Sequence, residues 1–147
     1  MLVESYQGKE GRAALMNALR AQFLVDGNTD IANTLASAAL VREFAPGEEL
    51  FSEGDRGGDL FFILAGRVSV RKGGQELATC DTGVHIGEIG LLEPFKGRSA
   101  TVVALGTVVV AQVSQQKFID VAEKHSTLWR RMALALAQRL VKAQDSV

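Results

Sequence analysis

Apolar residues recur with a helical period at both ends of the chain and with a strand-like rhythm in between. From about Lys9 to Phe23, Ala13, Leu15, Met16, Leu19 and Phe23 fall at near-helical spacing, which predicts a helix stopped by the Asp26-Gly27-Asn28 turn signal. A second, shorter helix is predicted from about Asp30 to Ala38, with Ile31, Leu35 and Ala38 on one face. Both are read as covers for one end of the domain that follows. At Val41 the rhythm changes. Turn clusters at Pro46-Gly47 and Glu53-Gly54-Asp55-Arg56-Gly57-Gly58 flank short apolar runs. Leu60 to Leu64 and Arg67 to Arg71 read as strands joined by a bend at Ala65-Gly66. In the second strand Val68 and Val70 are expected to face inward, and Arg67, Ser69 and Arg71 outward. Lys72-Gly73-Gly74-Gln75 predicts a hairpin that returns through Glu76 to Cys80, and Asp81-Thr82-Gly83 another turn. Thr101 to Leu105 and Val108 to Val113 follow, separated by Gly106-Thr107. Many short strands with regular turns predict an antiparallel barrel or double sheet, so the class is mainly β with flanking helices.

From Ser114 the period is helical again. Gln115 to Ala122 is one predicted helix, and Ser126 or Thr127 can cap a longer one running to about Gln144. Leu128, Trp129, Met132, Leu136 and Leu140 mark one side of it; Leu134 and Val141 mark a second. A helix apolar on two sides needs two surfaces to bury against. The strands supply one. A second copy of the chain, a further domain, or the N-terminal helices can supply the other. The chain thus divides into residues 1–40, 41–125 and 126–147, the last a signalling or dimerisation helix of the same domain.

Charge removes several classes. Lys plus Arg is 16 against 17 Asp plus Glu, with no basic stripe, so this chain is not expected to bind nucleic acid. No apolar run is long enough to span a membrane and no secretory leader pattern opens the chain, so a cytoplasmic protein without membrane contact is expected. Cys80, the one cysteine, has no partner for a disulfide. His85 and His125 lie far apart with no Cys or Asp cluster, so neither a metal site nor a catalytic set is expected, and no cofactor.

The candidate chemistry lies in the stretch from Gly87 to Val102. It places Glu88 and Arg98 ten residues apart in an apolar, glycine-punctuated run. A buried Arg is costly unless paired, its fork suits a phosphate bidentately, and Ser99 can add a hydroxyl or a backbone N–H. Gly87 permits close approach of a ligand to the backbone. Glu88 to Leu92 can form one helical turn, and the Glu88 carboxylate can accept from ribose hydroxyls. Phosphate and sugar so close together fit a 3′,5′-cyclic monophosphate. A plain Glu88–Arg98 ion pair without a ligand accounts for the spacing equally well.

Five segments bear on that choice: Pro46-Gly47-Glu48, Gly54-Asp55, Leu60-Phe61-Phe62-Ile63-Leu64-Ala65-Gly66-Arg67-Val68, Ile86-Gly87-Glu88-Ile89-Gly90-Leu91-Leu92, and Arg98-Ser99-Ala100-Thr101-Val102. In order and spacing the region from Ala45 to Gln144 resembles the cyclic nucleotide-binding domains of the catabolite activator protein, the protein kinase A regulatory subunit and cyclic-nucleotide-gated channels. The resemblance implies an eight-stranded jelly-roll barrel with helices at both ends. It implies a ligand site of Gly87, Glu88, Ile89, Arg98, Ser99 and Ala100, with Glu88 on the ribose 2′-hydroxyl and Arg98 and Ser99 on the cyclic phosphate. It also implies that the last helix moves or forms a homodimer on binding.

The base end departs from the best-known relatives. The position before Ile86, often Phe in the family, is His85, read as a polar strand-end residue. Ala143 and Gln144 stand where the activator protein carries hydroxyls that bond adenine. Arg139 matches a family arginine that approaches the ligand, or is a solvated helix residue. Leu77, Ala78, Cys80 and Ile86 fall where the family lines the base pocket, Cys80 as a small apolar group rather than a nucleophile. No DNA-binding helix-turn-helix follows, which favours a regulatory domain whose output domain lies beyond Val147. The chain also resembles the sensor domain of the pyrimidine-cyclase antiphage (Pycsar) effectors, in which such a domain precedes a Toll/interleukin receptor-like NAD-degrading domain and binds cUMP or cCMP. A bacterial cUMP sensor in antiviral defence is therefore the expectation. A cAMP-binding regulatory domain of an activator-like transcription factor is the alternative.

Overall fold

A computed structural model describes residues 2–145. After a short 3-10 turn (Leu2–Tyr6) come helices α1 (Gly8–Arg20) and α2 (Thr29–Ala38). Eight strands follow: β1 (Leu40–Phe44), β2 (Glu49–Phe51), β3 (Leu60–Ala65), β4 (Val68–Lys72), β5 (Gln75–Cys80), β6 (His85–Ile86), β7 (Thr101–Ala104) and β8 (Val108–Val113). A short helix, α3 (Glu88–Leu92), and a 3-10 turn (Pro94–Lys96) lie between β6 and β7. The chain closes with α4 (Gln115–Lys124) and α5 (Thr127–Asp145).

The strands form two four-stranded antiparallel sheets, in the orders β1-β8-β3-β6 and β2-β7-β4-β5. The apolar residues divide by strand period. Phe61 and Ile63 of β3 and Val108 and Val110 of β8 point between the sheets, joining Phe44, Leu50, Val102 and Ile86. Leu60, Phe62 and Leu64, with Val109, Ala111 and Val113, point to the other face of the first sheet, where α1, α2, α4 and α5 cover them. A strand buried on both faces has no polar position to alternate with, which is why Leu60-Phe61-Phe62-Ile63-Leu64 reads as one apolar run. Between β3 and β4 the chain turns at Gly66 (φ +101°), where a Cβ would stand 2.5 Å from the Thr107 carbonyl oxygen. No larger residue fits that crossing.

Several boundaries differ from the sequence reading. The first helix ends at Arg20, and Phe23 lies in the following turns. In α2 the buried positions are Ile31, Ala32, Leu35 and Ala36, not Ala38. Ser69 is fully buried on its own face of the strand: its hydroxyl donates to Glu76 (2.7 Å) and accepts from Arg71 Nε (3.0 Å), so these two side chains roof it from solvent. Arg98 precedes β7 by three residues. On α5, Leu128 and Met132 are buried and Trp129 and Leu136 partly so, in a cluster shared with the N-terminal helices, and Ala135 is buried as well. Leu134, Leu140 and Val141 stay exposed.

Candidate functional site

α3 opens from Gly87 in the left-handed region (φ +97°). A Cβ there would lie 2.8 Å from the Asp59 carbonyl oxygen and 3.0 Å from Arg98 Nη1. A Cβ on Gly90 would strike Arg98 Nη1 and stand 2.6 Å from the Gly57 carbonyl, and one on Gly57 would stand 3.7 Å from Nη2. Three glycines therefore wall a slot into which the Arg98 guanidinium fits. Arg98 is 5% exposed. Its Nη1 donates to the Gly87 carbonyl (3.1 Å) and its Nη2 to the Asp59 carbonyl (2.9 Å), and its fork lies 4.3 Å from the Phe51 ring centre. Burial lowers its pKa, countered by Asp59, Asp55 and Glu88, and among the described residues no carboxylate pairs with it directly. An arginine held by neutral carbonyls keeps donors and charge for an anion.

Glu88, 7% exposed, does not pair with Arg98. One carboxylate oxygen, Oε1, accepts from Arg139 Nη1 of α5, while Arg139 Nη2 donates to the His85 carbonyl (2.7 Å). The other, Oε2, is buried with no hydrogen-bond partner. A buried unpaired acceptor is unfavourable by about 1–3 kcal/mol, so the site is complementary to a hydroxyl or amine donor.

Glu88 and Arg98 open on one cavity of about 810 Å³, within the size range of small-molecule sites. All six residues of the expected phosphate–ribose set line it: Gly87, Glu88, Ile89, Arg98, Ser99 and Ala100. So do Leu77, Ala78, Cys80, Ile86, Arg139 and Ala143 of the expected base pocket; the side chain of Gln144 lies outside the described residues. Arg139 is not a freely solvated helix residue, being bound to Glu88. Phe51, Val70, Thr79, Val84, Asp81 and Lys142 also line the cavity and were not among the expected site residues. Lys142 had one legible signal: it follows Arg139 by three residues and so shares its helix face.

Cys80 is half-buried, and burial raises its thiol pKa, so it is a neutral wall rather than a nucleophile. His85 is 1% exposed, with Nε2 unpartnered. Burial, aided by Arg139, lowers its pKa to about 3. The unfolded chain takes up this proton near pH 6.5 and the folded chain only near 3. Stability contributed by neutral His85 is thus present above pH 6.5 and lost as the pH falls toward 3. His85→Phe is expected to reduce the slope of unfolding free energy in that window by about one proton, ~1.4 kcal/mol per pH unit. Urea titrations of both proteins at several pH values check this, and parallel slopes would contradict it.

Among the described residues no group of three or more His, Cys, Asp or Glu is placed to hold a metal, and no helix is long and apolar enough to cross a membrane.

Residues 41–125 match the family model described as cyclic nucleotide-binding domain. Over 146 residues, 99% of the chain, there is 34% identity to the Pycsar effector protein XpPycTIR of Xanthomonas perforans and 35% to the Pycsar effector protein PaPycTIR of Pseudomonas aeruginosa. The chain spans about half the length of these relatives, 48% and 47%. The catabolite activator protein of Thermus thermophilus superposes with a TM-score of 0.75 at 27% identity, over 85% of this chain and 61% of that one.

Proposed function

The chain belongs to the cyclic nucleotide-binding domain family, and we propose that it is a regulatory sensor that binds a 3′,5′-cyclic mononucleotide, cUMP in preference to cAMP, and passes binding to an output domain through α5. The observation that carries the reading is the pairing of an acceptor and a cation in one cavity: Glu88 with Oε2 unpartnered, and Arg98 held in its glycine slot. In this reading Arg98 and Ser99 take the cyclic phosphate, Glu88 Oε2 takes the ribose 2′-hydroxyl, and the two sheets are the halves of a jelly-roll barrel. Catalysis, where the whole protein has any, belongs to the output domain.

The route to α5 is physical. Arg139 ties the helix to Glu88 and to the His85 carbonyl, so a ribose hydroxyl on Oε2 completes the partner set of a carboxylate that already holds α5. A ligand shifts a conformational equilibrium only through contacts that differ between the two states, and this ion pair is one. The exposed Leu134, Leu140 and Val141 form the face through which α5 pairs with a second copy or with the output domain. The defence role and cUMP are supported by the identity to Pycsar effectors along nearly the whole chain, and by Ala143 in place of an adenine-binding hydroxyl.

Thermal unfolding with cUMP, cCMP, cAMP and cGMP tests this. At a hundred times Kd, binding stabilises by about 2.7 kcal/mol, which for a domain of this size is a Tm rise of roughly 5–10 °C. The 2′-deoxy form of the tightest ligand is expected to bind about tenfold or more weaker, and Glu88→Ala to equalise the two forms. No rise with any of the four nucleotides would refute the reading.

A further inference from the structure

The base end of the cavity carries an inference that rests on the reading above and narrows the ligand. The cavity is ordered from end to end. Arg98 donates to the Gly87 carbonyl, the next residue, Glu88, holds Arg139 of α5, and Cys80 and Lys142 line the same cavity, so Glu88 stands between Arg98 and the α5 side, where Cys80 lies within reach of the Arg139 and Lys142 charges. With phosphate at Arg98 and ribose at Glu88, the base lies against Cys80.

Three charged side chains face that end, and two are engaged. Arg139 is bound to Glu88 and the His85 carbonyl. Asp81 accepts from Arg67 Nε at 2.8 Å. Lys142 lines the cavity, and among the described residues its ammonium forms no ion pair. It lies one turn beyond Arg139, about 4.5 Å further along the axis, so the helix that places Arg139 over Glu88 places Lys142 beyond it. Of the other walls there, Leu77, Ala78, Val84 and Ala143 carry no polar side-chain atoms, and the Thr79 hydroxyl both donates and accepts, so it does not by itself favour oxo over amino.

We propose that Lys142 is a specificity determinant, donating from its ammonium to an exocyclic oxo group of the base, so that the site selects an oxo-bearing base over the amino-bearing base of the same size. The ammonium has three donors and no acceptor. Against an oxo group it makes a charge-assisted hydrogen bond. Against an amino group, donor meets donor, and the contact gains nothing.

Two near-isosteric pairs bracket this contact: cUMP against cCMP, and cIMP against cAMP, each exchanging oxo for amino at one ring carbon and N–H donor for acceptor at the adjacent ring nitrogen, and the Lys142 variants separate the ammonium's share of each difference. Calorimetry on the wild-type chain is expected to show the oxo member of each pair bound about tenfold tighter. Lys142→Met keeps the aliphatic stem on an exposed helix position and removes the donors. It is expected to bring both ratios close to one by weakening the oxo members, with the amino members unchanged. Lys142→Arg is expected to retain the preference. Equal affinities within the wild-type pairs, an amino preference, or an oxo preference that survives in Lys142→Met overturns the assignment while leaving cyclic nucleotide binding intact. Binding of none of the four removes the underlying reading and Lys142 with it.

Discussion

Arg98→Ala is expected to abolish the ligand-induced rise in Tm and to weaken cyclic nucleotide binding by at least about a hundredfold. Hydrogen bonds to charged groups contribute about 1.5–3 kcal/mol each, and a bidentate phosphate contact comprises two of them. Together they amount to roughly 3–6 kcal/mol, or about a hundredfold to ten-thousandfold in Kd. The same truncation removes donors from the Gly87 and Asp59 carbonyls and empties the space above Phe51. The ligand-free protein should therefore lose about 1–3 kcal/mol as well. Arg98→Lys separates charge from geometry: a compact ammonium keeps the charge but cannot span two carbonyls and a phosphate. Its affinity is expected to fall between those of the wild type and Arg98→Ala. Urea unfolding without ligand, beside calorimetry with it, distinguishes a damaged fold from a lost contact. Nucleotide binding by a folded Arg98→Ala at wild-type affinity would contradict the role assigned to Arg98.

Gly90→Ala is the second large effect, and its sign is the informative part. Gly90 lies inside α3, where Ala is ordinarily the better residue by about 1 kcal/mol. Here the added Cβ meets the Arg98 guanidinium and the Gly57 carbonyl oxygen, and neither can yield without opening the slot. Overpacking of this kind is unfavourable by about 1–3 kcal/mol, so the clash outweighs the propensity gain. Net destabilisation is expected, together with about tenfold or greater loss of affinity as the guanidinium is displaced. Gly106→Ala is the control, because a Cβ there meets nothing within 4 Å. It should change stability by less than about 0.5 kcal/mol. Stabilisation by Gly90→Ala would mean that α3 and Arg98 are not held as described.

Much of this was legible before any coordinates. The helical period at both ends and the short strands between them follow from apolar spacing, because burial on one face imposes a repeat on each segment by itself. Arg98 and Glu88 stood out because charge in a glycine-rich apolar run has few inexpensive explanations. Readings that depended on more distant partners fared worse. Ser69 alternates with Val68 and Val70 and so reads as outward. Nothing near it in sequence says that Glu76, on the paired strand, and Arg71 close over it. Lys142 enters the site only because α5 lies along the cavity. Gly57 and Gly90 read as turn and helix glycines until Arg98 is placed between them.

The sequence by itself determined the elements and singled out Glu88 and Arg98, since each is written in contiguous residues. The tertiary structure decided which charge answers which. Glu88 and Arg98 are ten residues apart and do not pair; Glu88 instead pairs with Arg139, fifty-one residues away. The reason is packing. The slot walled by Gly57, Gly87 and Gly90 directs Arg98 to backbone carbonyls, while α5, packed through Leu128 and Met132 into the cluster it shares with α1, α2, α4 and the first sheet, carries Arg139 to the carboxylate. A guanidinium goes where the surrounding backbone and helix faces put it, and that placement is a property of the assembled fold.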